Sequence, residues 1–259
     1  MRELIVNADD FGFTPDVNQG IVRAHREGIL TATTLMAPAA AFDHAVRLAQ
    51  ETPTLDIGVH GVLVGDPPFP RTVAQLMRAV VLGQLSPYRH LHSQVRKIVD
   101  AGIQPSHIDT HKHTHLFPPV LDALLRVARE FDIPWVRKPF DLALPYQGVP
   151  ANKQRTNRVV GFMRGHFDRK LAKYGRSATD HFMGFQITGR YDAAHLVSLI
   201  RALPEGVTEF MVHPGMLGAD LAAARTRLKQ SRADELAALT SPDVLAALRD
   251  SGVRTRTFR

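Results

Sequence analysis

At 259 residues, with 44% hydrophobic and 22% charged side chains, the chain has the composition of a large soluble domain and is too apolar for wholesale disorder. It has no cysteine, which excludes disulfides, thiolate metal sites and cysteine nucleophiles together. The net charge of +7, from 32 basic and 25 acidic residues, suits an anionic partner. No zinc finger, RNP-like strand or helix-turn-helix accompanies it, so nucleic acid is not expected.

Leu4-Ile5-Val6-Asn7-Ala8 is an apolar run that stops at Asp9-Asp10-Phe11-Gly12 and reads as a buried strand with a polar, turning end. No signal-peptide pattern precedes it and no apolar run approaches the ~18 residues of a membrane span, so a cytoplasmic protein is expected. Val17, Ile21, Val22 and His25 recur at helical spacing between Asp16 and Arg26, and Gly28 stops that helix. Leu30 to Met36 predicts a strand, Phe42 to Gln50 a helix, and Leu55 to His60 a third strand. A Pro-rich loop, Gly65 to Pro70, precedes two helices, Thr72 to Leu82 and Leu91 to Ala101.

Ser106 to His111 predicts the next strand, and it opens the most unusual stretch of the chain. From His107 to His115 every odd position is His or Asp. If it stayed extended, one face would carry all five. Such a face cannot be buried unpaired, so it must meet solvent, metal or substrate. Pro118 to Phe131 then reads as a helix and Ile133 to Val136 as a strand, followed by Arg137-Lys138-Pro139 and a loop over 140–151. Residues 152–176 are helical in period and basic, with Asp168 the single acid. They fit a surface helix or an amphipathic helix lying on an anionic membrane. Phe182 to Thr188 predicts a strand, Ala193 to Ala202 a helix, and Gly206 to Val212 a strand ending in His213-Pro214-Gly215. Short helices at Ala233–Leu239 and Pro242–Asp250 and a strand at Val253–Thr255 complete the chain.

Unbroken strand–helix alternation predicts one α/β domain over 1–259: a distorted, TIM-like (β/α) barrel of about seven parallel strands, with an open doubly wound sheet as the alternative. The usual nucleotide-binding glycine fingerprints are missing. Four strands end in chemically useful groups: Asp9 and Asp10, His60, His111 and His213. C-terminal ends of parallel strands share one face, so the topology gathers these groups. A carboxylate with two neutral imidazoles suits one divalent ion with open positions for water and substrate. Zn, Mn, Co, Fe and Mg all remain open, the imidazoles tilting away from Mg. Adjacent aspartates face different ways along a strand, so one is expected as ligand and one as base. Asp109 is expected to orient a ligand histidine. His113 and His115 are placed in the loop, toward substrate or solvent. Arg137 and Lys138 are positioned for substrate hydroxyls or a phosphate, and His107 has no assigned role.

Asn7-Ala8-Asp9-Asp10-Phe11-Gly12, Gly58-Val59-His60, His107-Ile108-Asp109-Thr110-His111 with its His-rich tail, and Val212-His213-Pro214 resemble the YdjC/ChbG carbohydrate deacetylase family, which is related to the NodB-type deacetylases. The resemblance covers nearly the whole chain. Asp180-His181-Phe182-x-Gly184, and Ala233-Asp234-Glu235-Leu236 through Thr240-Ser241-Pro242, resemble its hopanoid-biosynthesis branch, HpnK. This family implies a distorted (β/α) barrel that hydrolyses an N-acetyl group from an amino sugar in an oligosaccharide or glycolipid. It also implies one divalent metal, Mg or Zn foremost, held by His60 and His111 with Asp10 as third ligand. Asp9 would be the base and His213 the acid. A metal-dependent phosphoesterase and a non-catalytic metal- or sugar-binding protein are the competing readings. Loops 61–71 and 139–152 are expected to set the substrate, and a homodimer is the default oligomer.

Overall fold

The computed structural model describes residues 1–142 and 149–259, so part of the predicted loop 139–152 lies outside the described residues. Its strands are β1 (Arg2–Phe11), β2 (Ala32–Leu35), β3 (Asp56–Gly61), β4 (His107–Thr110), β5 (Trp135–Val136), β6 (His181–Met183), β7 (Gly206–Val212) and β8 (Arg254–Thr255). They pair throughout in parallel, in the order β5-β4-β3-β2-β1-β7-β6, with β8 added beside β1. Isolated parallel bridges Trp135–Ser177 and Asp141–Phe182 bring the β5 side round to β6. The sheet therefore curls into the distorted (β/α) barrel expected from the alternation.

The helices are α1 (Pro15–Glu27), α2 (Phe42–Gln50), α3 (Val73–Val81), α4 (Pro87–Asp100), α5 (Pro118–Glu130), α6 (Ala151–Gly161), α7 (Arg164–Tyr174), α8 (Ala193–Arg201), α9 (Ala219–Ala223), α10 (Gln230–Leu239) and α11 (Pro242–Ser251). Their starts follow side-chain chemistry. Thr14 Oγ1 accepts the Val17 N–H and Pro15 sits at the first helical position, while Thr72 and Gln75 form a reciprocal capping box. Residues 152–176 form two helices that break near Phe162, and α6 has no buried residue. No described helix is long and apolar enough to cross a membrane.

Alternation along β1 sorts its side chains between two environments. Leu4, Val6 and Ala8 join the main apolar cluster with helix residues such as Ile21, Leu124 and Ile200. Ile5 belongs to a separate small cluster with Ala32 and Phe258, and Asn7 and Asp9 pair with residues of β4, β7 and the segment after β5. The barrel interior is thus apolar at its base and polar above. Phe258 stacks on His107 with ring centroids 3.9 Å apart, and Asp56 accepts the Phe258 N–H, so the C-terminal tail packs into that base.

Two expected extended stretches end well short of the predicted residues. The predicted strand Phe182–Thr188 is only His181–Met183, because Gly184 turns away at φ +129. A Cβ there would lie 2.4 Å from Met211 O, so only glycine lets the chain leave at that point. The extended His107–His115 face does not form either. Pairing stops at Thr110, and His111–Leu116 is a 3-10 turn with Lys112 and His113 in the left-handed region, φ 55 and 50. The five polar groups are therefore sent in different directions.

Candidate active site

β1 delivers Asp9 by alternation and Asp10 by a break in it. Asp10 has φ 70, in the left-handed region that short polar side chains tolerate best, and it begins a turn closed by Phe13 N–H on its carbonyl at 3.0 Å. Asp10 Oδ1 lies 3.5 Å from His60 Nε2 and 3.4 Å from His111 Nδ1, and these two nitrogens are 3.3 Å apart. Ligands held at ~2.1 Å in a tetrahedral arrangement stand roughly 3.4 Å from one another, which these separations match. Oδ1 is buried and accepts no hydrogen bond. These three atoms form a donor set with the spacing, burial and unmet acceptor that a divalent ion requires.

The other face of His60 is tied down. Its Nδ1 donates to Asp109 Oδ1 at 2.5 Å, which leaves Nε2 to face Asp10 and His111. Asp9, His60 and Asp109 also cluster closely, but the cation among them is Arg137. Arg137 Nη1 and Nη2 donate to Asp9 Oδ2 and Oδ1 at 2.9 and 2.7 Å, and Nε donates to Glu209 Oε1 at 2.7 Å. The guanidinium also pairs with Asp109 and is only 3% exposed. His213 Nε2 stands 3.9 Å from Asp9 Oδ2, and Thr34 Oγ1 bridges toward Asp9 and His60 at 3.4 and 3.3 Å.

This charge arrangement sets the protonation states. Burial raises the Asp9 carboxyl, but Arg137, His60 and His213 outweigh it and hold Asp9 well below the usual carboxylate range. Asp10 is held low in the same way, Arg232, His111 and His60 overcoming burial. For His60, burial works against the charge, but Asp109, Asp9 and Asp10 raise its pKa to about 9. Burial lowers His213 despite Asp9 and Glu235 nearby, so its imidazole is neutral at neutral pH.

The structure thus gathers Asp9, Asp10, His60, Asp109, His111 and His213. Other singled-out residues lie differently. Arg137, read as reaching for substrate, is committed inside the barrel to three carboxylates. Lys138 turns to Asp168 on α7 at 3.1 Å. His115 is fully buried between Thr110 Oγ1 and the Arg137 carbonyl, at 2.6 and 3.2 Å. His107 is buried between Ser106 Oγ and Asn7 Oδ1, at 2.8 and 3.2 Å. His113 is partly buried against the rings of Phe182 and Phe185.

Three charged residues were not anticipated. Arg232 on α10 pairs with Asp10 Oδ2. Glu235, one turn on, accepts the His213 N–H at 2.6 Å, the Tyr191 hydroxyl at 2.9 Å and the Gly189 N–H at 2.8 Å. Glu209 faces inward from β7. Only Glu209 carried a signal, as an acid inside an apolar strand run; Arg232 and Glu235 stand at i, i+3 on a helix, which is the pattern of an ordinary surface pair.

With this geometry in place, the family-level comparison is decisive: the model of the YdjC-like protein family matches residues 3–250. The chain belongs to the YdjC-like family. Relatives of this YdjC-like chain include a carbohydrate deacetylase of Brevibacillus brevis, 32% identical over 99% of this chain and 98% of that protein. A carbohydrate deacetylase of Geobacillus stearothermophilus is 33% identical over 100% and 97%. A chitooligosaccharide deacetylase of Klebsiella pneumoniae is 32% identical over 100% and 98%. Among solved structures, an Enterococcus faecalis protein proposed to cleave cellobiose phosphate superposes with TM-score 0.75 at 25% identity, over 99% of this chain and 97% of that one. A lactam utilization protein of Thermus thermophilus shares the fold at TM-score 0.52 and 14% identity, over 98% and 99%.

Proposed function

We propose that this chain is a metal-dependent hydrolase that removes an N-acetyl group from an amino sugar in an oligosaccharide or glycolipid. The observation that carries the reading is the ionised Asp10 Oδ1, buried without a hydrogen-bond partner and set 3.4–3.5 Å from two imidazole nitrogens, beside an Asp–His pair. The deacetylase names of relatives matched along their full length support the same reaction. Asp10, His60 and His111 would hold the ion; bound there, it supplies Lewis acidity for the amide carbonyl and makes an adjacent water more acidic.

The chain's own residues handle the proton. Asp9, fixed by two hydrogen bonds from Arg137, faces the site with a charge that stays on it. A carboxylate so acidic accepts a proton only in passing. His213 Nε2 stands 3.9 Å away with its imidazole uncharged, so the proton from the attacking water moves through Asp9 to His213. His213 then protonates the amine nitrogen as the C–N bond breaks, giving acetate and the free amino sugar. Glu235 fixes the His213 backbone for this transfer. Asp9→Asn and His213→Ala should each lower kcat by ~10²–10⁴-fold while metal binding persists, measured as acetate released from N-acetylated chitobiose and from a glucosaminyl lipid. Full activity in Asp9→Asn would overturn the assignment. Phosphoester hydrolysis loses its support, because Arg137 and Lys138 are engaged by carboxylates.

The partner surface belongs to the same proposal. Among the described residues, the large exposed apolar side chains other than Met1 fall in three segments. Val73, Met77, Val81 and Leu82 follow β3, Val159 and Phe162 follow β5, and Leu217 follows β7. Exposed Arg71, Arg78, Arg155 and Arg158 accompany them. Arginines beside exposed apolar side chains on α3 and α6 suit an anionic bilayer surface.

A further inference from the structure

Arg232 is 2% exposed and reaches Asp10 from α10. Its passage is built from glycines. The Gly215 N–H donates to the Arg232 carbonyl at 3.1 Å, and a Cβ on Gly215 would stand 3.2 Å from Arg232 Cδ. Behind it, a Cβ on Gly20 would lie 2.4 Å from Gly215 Cα. Arg232 Nε donates to the Leu228 carbonyl at 3.2 Å, and Nη2 donates to Asp10 Oδ2. Nη1 is buried without a hydrogen-bond partner among the described residues. A full positive charge is thus buried, incompletely bonded, against one oxygen of a residue whose other oxygen faces His60 and His111. Burial of this kind is costly and gives no stability by itself.

A carboxylate can close on a divalent ion with one oxygen or with both. Closing with both would fill a position that a hydrolytic site needs for water. We propose that Arg232 is a positioning residue that keeps Asp10 a one-oxygen ligand, weakening metal binding in return for an open position beside the ion. The proposal rests on reading Asp10, His60 and His111 as the metal site. Its direction is specific. Two cations on one carboxylate oppose each other, so removing the guanidinium strengthens metal binding while it impairs turnover. A side chain that only held Asp10 in place would do the reverse to affinity.

The test compares wild type with Arg232→Met, Arg232→Lys and Asp10→Asn. Each protein is stripped by chelator and titrated with Mn²⁺ and with Zn²⁺ by calorimetry, with melting curves taken in chelator and in metal. Arg232→Met should bind metal at least ~10-fold more tightly than wild type and show a larger metal-induced rise in Tm. Its kcat for acetate release should fall at least ~100-fold. Arg232→Lys should keep a metal affinity within about threefold of wild type. Unchanged or weaker affinity in Arg232→Met overturns the proposal, as does a variant that stays unfolded in millimolar metal, because the ion should replace the missing charge. If Asp10→Asn binds metal as wild type does, or wild type binds none, the metal-site reading itself fails. If Asp10→Asn loses the metal and Arg232→Met matches wild type, only the role of Arg232 fails.

Discussion

His60 is buried, yet it sits among Asp109, Asp9 and Asp10, and the three carboxylates raise its pKa to about 9. At neutral pH the metal-free protein therefore holds an imidazolium whose Nε2 proton occupies the place an ion would take. Metal ligation needs that nitrogen bare, so binding must expel the proton. We expect about one proton released per metal bound at pH 7, read as a heat that changes with the ionisation enthalpy of the buffer. Buffer-independent heats, or proton uptake, would contradict this protonation state. Asp109→Asn removes the nearest carboxylate, so it should reduce the release and leave the imidazole less firmly oriented. A metal-affinity loss of ~10–100-fold is expected from that change.

At the scale of elements, strand ends were legible because parallel topology converts sequence position into spatial convergence. Asp9, Asp10, His60, His111 and His213 could all be placed on one face from the alternation of strands and helices alone. What alternation does not reveal is where it ends. Lys112 and His113 adopt left-handed backbone that no local propensity demands, and this breaks up the face expected over His107–His115. Arg137 was misjudged because its position after a short strand suggested a loop, whereas the barrel interior supplies three carboxylates to bury it. Arg232 and Glu235 come from α10, whose contacts with the site arise only in three dimensions. The exposed side chains of α3 and α6 have a separate consequence. On α6, Arg155, Arg158, Val159 and Phe162 lie at i, i+3, i+4 and i+7, and Phe162 is 87% exposed. The protein should co-sediment with phosphatidylglycerol vesicles at low salt and be released by high salt, with little binding to phosphatidylcholine. Phe162→Asp should weaken that binding and leave hydrolysis of a soluble substrate intact. Absence of sedimentation on anionic vesicles at low salt would remove the membrane from the account.

At the scale of the whole molecule, buried titratable groups couple the fold to pH in opposite senses. Burial lowers His107 and His115 to about 4. Between pH 6.5 and about 4 the unfolded chain binds protons at these histidines and the folded chain does not. Stability from them is complete above 6.5 and lost as pH falls, by up to about 1.4 kcal/mol per pH unit for each. Asp141 opposes part of that loss, because burial raises it to about 6 and the folded state gains a proton there first. His60 acts on the other side. Its raised pKa gives stability that is complete below 6.5 and lost as pH climbs through about 9. The metal-free protein should therefore have its highest Tm near pH 6.5, falling both toward pH 5 and toward pH 9. Saturating metal should abolish the alkaline fall alone, since a ligated His60 carries no proton to lose. The acid side should keep its fall in metal, because His107 and His115 are outside the Asp10–His60–His111 donor set and bond instead to Ser106, Asn7, Thr110 and the Arg137 carbonyl. Melting curves from pH 5 to 9, in chelator and in Mn²⁺, distinguish the two limbs. An alkaline limb unmoved by metal would mean that His60 is not the group that titrates there, and with it the protonated resting state of the site would fall.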